Sequence, residues 1–92
     1  MDRNDEVARS LEAADMYLRD AAVPMSTHGR FSAAIDALGC LCEAGIADDA
    51  DKVLVAAWED ARYDPEKWPS EAQVTELVAH VVQVRGRQNS AG

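Results

Sequence analysis

Val7, Leu11, Ala14, Leu18 and Ala21 recur at alternating steps of four and three residues, the repeat that lines one side of an α-helix. The spacing predicts a first helix over 5–22, with Asn4 as its cap and Asp5 and Glu6 at the positive end of its dipole. Pro24 closes it, because proline disfavours a helical residue before it. A second helix is predicted over 28–44, stopped by Gly45, with Ile46 beyond to pack back. On its wheel Phe31, Ala34, Ile35, Leu38, Leu41 and Cys42 form one broad apolar arc. Ala33, Ala37, Cys40 and Ala44 form a second arc of small side chains, which leaves only a narrow polar strip. A helix apolar over most of its circumference belongs at the centre of a fold, and the small arc lets a neighbour approach closely.

A third helix is predicted over 49–63, capped by Asp48, with Ala50, Leu54, Ala57 and Ala61 as its stripe, widened by Val53 and Trp58. Val55 falls off that stripe, beside Asp51 and Arg62, and is expected to be part-exposed. Asp64 before Pro65 fits a cap and first-turn proline, giving one short turn that Trp68-Pro69 ends. Ser70 and Gln73 make a capping box that opens a fourth helix over 71–85. Its Val74, Leu77, Val78, Val81, Val82 and Val84 face one side, and Gln73, Glu76, His80 and Gln83 the other. The valines of "VAHVVQV" favour strand, but the caps and the two-faced wheel decide for helix. Residues 87–92 read as a flexible tail. The expectation is one all-α domain over 1–86 with no sheet, an up-down four-helix bundle or two stacked helical hairpins.

Size and charge narrow this picture. At 92 residues the chain buries only about 60–65% of its unfolded surface, so the core is modest. The net charge is -8, and residues 36–76 hold eleven of the seventeen acids but three of the nine bases. Phosphate neutralisation needs lysine and arginine, so direct nucleic-acid binding is not expected. No stretch is long and apolar enough for a membrane span, and "MDRNDEVARS" lacks the apolar centre of a secretory signal. With two cysteines outside any disulfide framework, the expected location is the cytoplasm.

The candidate chemistry is sparse. Residues two apart on a helix point in nearly opposite directions, so Cys40 and Cys42 cannot share a metal or a disulfide; both read as packing. "DDADKVLVAAWE" has the length of a calcium loop but places Ala50, Lys52 and Val53 where oxygen ligands and glycine are needed. His28 lies in a polar turn, and His80 reads as a solvated neighbour of Glu76 one turn away; neither has an evident orienting partner. No catalytic residue, metal or cofactor is expected. The aromatics stand out more: Trp58, Tyr63 and Trp68 fall within eleven residues. Trp68 and Tyr63 could anchor a partner, with Asp60, Asp64 and Glu66 as an acidic rim. Gly39, in mid-helix on the polar strip, is a second place where a partner's backbone could come close.

Over residues 7–44 the chain, in the run "LEAADMYLRDAAVPMSTHGRFSAAIDALGCLCEAG" that ends at Gly45, resembles the first helical hairpin of HEPN domains, small bundles of four or five helices. Active members of that family cleave RNA with an arginine followed four to six residues later by a histidine. Here the nearest arginines before His28 and His80 are Arg19 and Arg62, so the resemblance implies a non-catalytic member that binds a partner. The leading functional expectation is therefore a non-enzymatic acidic protein that works through protein–protein interaction, its partner bearing a basic surface or being a second copy of the chain. One alternative is an inhibitor that imitates nucleic acid, of the antitoxin, immunity or anti-defence type. Another is a small nuclease or hydrolase using a histidine.

Overall fold

In the computed structural model, which describes residues 3–23 and 26–91, all regular structure is helical. The helices are α1 (Arg3–Ala22), α2 (Thr27–Glu43), α3 (Asp49–Arg62) and α4 (Glu71–Ala91), with a single 3₁₀ turn, η1 (Pro65–Lys67), before α4. Asn4, expected as a cap, lies inside the first turn of α1. Pro24 falls outside the described residues.

The chain's polar punctuation sets these boundaries. Ser26 accepts from the Gly29 amide at the start of α2. At its end Gly45 takes a φ of 81°, a left-handed conformation that costs glycine little. Its amide donates to Cys42 and that of Ile46 to Leu41, which satisfies two otherwise orphaned carbonyls. Asp48 and Asp51 form a reciprocal box at the start of α3, and Ser70 and Gln73 one at the start of α4.

α2 is the hub. Phe31, Ala34, Leu38 and Leu41 are fully buried, and around them gather Leu11 and Ala14 of α1, Ala61 of α3, and Val74, Leu77, Val81 and Val84 of α4. Ala33, Ala37 and Ala44 of the small arc are buried as well, and α1 is the helix packed most extensively on α2. Side-chain links show that successive helices run antiparallel. Arg30, early in α2, donates to the Ala21 carbonyl late in α1. Arg62, at the end of α3, reaches the Ser32 carbonyl and Asp36 in the first half of α2. Arg87, late in α4, reaches Asp51 and Asp48 at the start of α3.

Two features depart from the sequence reading. α4 continues to Ala91 instead of ending at Arg85, so most of the expected tail is helical. Arg85 and Arg87 tie these turns to Asp15 and Asp51, and a Cβ at Gly86 would meet nothing, so the glycine sits in ordinary helix. The second departure is the facing of α3. Its inner side carries Asp51, Leu54, Val55, Trp58, Ala61 and Arg62, while Ala50, Val53 and Ala57 of the expected stripe are exposed. The helix is turned so that its two charged ends join the buried face.

Candidate functional site

α3, η1 and the first turn of α2 meet at one end of the molecule and build an aromatic corner. Trp68 stacks on His28, the ring centres 4.0 Å apart and the planes 26° from parallel. Its indole Nε1 donates to the Arg62 carbonyl at 3.1 Å. Beneath, Phe31 meets His28 at 6.1 Å and Trp58 edge-on at 5.4 Å. Trp68 is thus held on both its face and its polar edge yet remains 42% exposed, and Tyr63, the residue after the Arg62 carbonyl that Trp68 binds, is 79% exposed.

Of the acids expected to rim this corner, Asp64 caps η1 through the Glu66 amide and pairs with Lys67 at 3.9 Å. Asp60 and Glu66 are exposed, and among the described residues neither has an ion pair. Gly39 is elsewhere, about 10 Å along α2 from the Ser32 carbonyl that Arg62 grips. A Cβ added to Gly39 would meet nothing within 4 Å. Gly39→Ala is therefore expected to stabilise the fold by about 0.5–1 kcal/mol, or roughly 2–8 °C in Tm by thermal melting.

A second cluster lies across the α3–α4 gap, and the sequence reading did not find it. Asp51 is 2% exposed. His80 Nε2 lies 2.6 Å from Asp51 Oδ1, and Arg87 donates to Oδ2 at 2.9 Å. Asp51 Oδ2 also accepts from the Asp48 amide. Burial pushes the Asp51 carboxyl up, but the hydrogen bonds from His80, the Asp48 backbone and Arg87 outweigh it and hold the group below its ordinary value. His80 is thus not the free, solvated neighbour of Glu76 that its spacing suggested. The signal was present: Asp51, Val55, Trp58 and Arg62 follow a 4-3-4 repeat, and His80 and Arg87 lie seven apart on one face of α4.

An aspartate on a histidine is the orienting half of a nucleophilic triad. Among the described residues, however, neither His80 nor His28 hydrogen-bonds a serine, threonine or cysteine side chain, and no group of three or more His, Cys, Asp or Glu converges as a metal cage. The thiols of Cys40 and Cys42 are pushed up by burial, with nearby acids adding to it, the opposite of an activated nucleophile. What the Asp51 cluster does is join two helices.

Between these helices lies a cleft lined by Leu54 and Trp58 of α3 and by Gln73, Glu76, Leu77 and His80 of α4. No helix among the described residues is long and apolar enough to cross a membrane. Comparison with protein-family models, with curated proteins and with solved structures finds no match to this chain.

Proposed function

We propose that this chain acts by binding another protein, without catalysis, through the aromatic corner of α3, η1 and the start of α2. One observation carries the reading. Trp68 is fixed by a stack and a hydrogen bond while two-fifths of its surface, and most of Tyr63, stay in water. A large aromatic held rigid before binding loses little entropy on docking, which is what an interface anchor needs. The likeness of residues 7–44 to HEPN domains is compatible with this, since the RNase spacing of that family is missing here.

The test is capture from native extract by wild type, Trp68→Ala and Tyr63→Ala. Loss of an anchor typically removes at least 2 kcal/mol, so each variant should bind the same partner about thirtyfold more weakly with its helical melting retained. An unchanged set of partners in both variants would reject the reading. The alternative, imitation of nucleic acid, is favoured by the exposed acids Asp60, Glu66, Glu71 and Glu76, which have no ion pair among the described residues. It requires capture of a basic partner that weakens steeply with added salt.

A further inference from the structure

Helices packed face to face lie about 8–10 Å apart, and α3 and α4 are further separated than that. Among the described residues no Cα of α3 comes within 8 Å of one in α4. Long side chains span the gap at the Asp51 end, and beyond them the cleft lies open, with a volume of about 230 Å³.

Its two walls differ in chemistry. The α3 wall is apolar: Leu54 and Trp58 line it, and Ala50 and Ala57, one turn either side of Leu54, extend it outward with Val53, which is 69% exposed. These are the positions the hydrophobic pattern assigned to the core and the fold left in water. The α4 wall is mixed, with Leu77 standing among Gln73, Glu76 and His80. Gln73 is engaged in its capping box and His80 with Asp51, so Glu76 is the charge left on this wall, exposed and, among the described residues, without an ion pair. The lining runs from Gln73 to His80, about 10 Å or two turns of helix.

We propose that this cleft receives two turns of an amphipathic helix from a partner protein, leucine-type side chains lying on α3 and a lysine or arginine turned to Glu76. This rests on the partner-binding reading above and names the partner's chemistry. The separation of α3 and α4 leaves a slot between two antiparallel rods, which an added helix fills by ordinary side-chain packing. Charge selects the occupant: a second copy would bring a further -8 to a chain already at -8, whereas a cationic flank is drawn to Glu76.

The probe is a synthetic amphipathic peptide of about 16 residues, leucine along one face and arginine along one flank. It is titrated into the full, isotope-labelled chain and followed by amide and indole chemical shifts. Shifts confined to residues around Leu54, Trp58, Gln73 and Glu76 are expected. Glu76→Lys, a surface change that leaves the core alone, should weaken binding at least tenfold, and Leu54→Glu likewise, while Trp68→Ala leaves it unchanged. The same peptide with glutamate replacing arginine should not bind. Equal binding of the two peptides, shifts spread over the whole surface, or wild-type affinity in Glu76→Lys would overturn the proposal. So would a wild-type dimer in light scattering that Leu54→Glu dissociates, since a second copy would then cover the cleft. If the peptide fails while Trp68→Ala still abolishes partner capture, the cleft assignment falls and the corner stands.

Discussion

Phe31→Ala is expected to destabilise the protein by about 3–5 kcal/mol, because the ring is fully buried and its removal leaves a cavity that the surrounding helices cannot collapse into. A chain of this length has roughly 5–14 kcal/mol of stability in total, so the variant should melt some 15–30 °C lower by circular dichroism. Leu38→Ala, at an equally buried position of the same helix, is the comparison. The two should differ in what else they change. Phe31 supports Trp58 edge-on and lies under His28, on which Trp68 stacks. At a temperature where both variants remain folded, Phe31→Ala should therefore alter the tryptophan emission and weaken partner capture, and Leu38→Ala should do neither. Equal effects on emission would mean that the corner is held by Arg62 and η1 alone.

The parts of this fold that were legible in the sequence are those decided within a few residues. Ser70 and Gln73 cap α4 because they are three apart, and Gly45 ends α2 because its φ suits glycine. The wide apolar arc of α2 places that helix at the centre whatever surrounds it. α3 was harder, since it carries two helical repeats one residue out of step: Ala50-Leu54-Ala57-Ala61 and Asp51-Val55-Trp58-Arg62. The first is the more apolar, and hydrophobicity alone selects it. The inward side combines the second repeat with Leu54 and Ala61 of the first, because His80 and Arg87, 29 and 36 residues further on, satisfy Asp51, while Ser32 and Asp36 satisfy Arg62. A buried charge with partners is tolerable, and without them it is not. No window around α3 contains those partners. The end of α4 was misread for the same reason, its anchor Asp15 being 70 residues away. In the corner, the grouping of Trp58, Tyr63 and Trp68 could be read directly, but the stacking of His28 on Trp68 could not.

Asp51→Ala is the second large effect, and it tests that account of α3. The substitution removes an acceptor for the Asp48 amide and the carboxylate shared by His80 and Arg87. A lost cap costs about 1 kcal/mol and a lost charge-assisted hydrogen bond about 1.5–3. His80 and Arg87 are part-exposed and regain water, which keeps the expected loss near 2–3 kcal/mol, a fall of roughly 10–20 °C in Tm. Asp49→Ala, two residues earlier at a fully exposed carboxylate 3.8 Å from Lys52, should leave the melting temperature nearly unchanged. The effect must also depend on acid in one direction. Because the fold holds the Asp51 carboxyl below its ordinary value, the group contributes its full stability above the unfolded value of about 3.9 and loses it as pH falls through the lower, folded one. The difference in stability between wild type and Asp51→Asn, measured by denaturant melts, should hold steady above about pH 5 and shrink below about pH 4. A difference that grew in acid would mean that the carboxylate is strained against its neighbours.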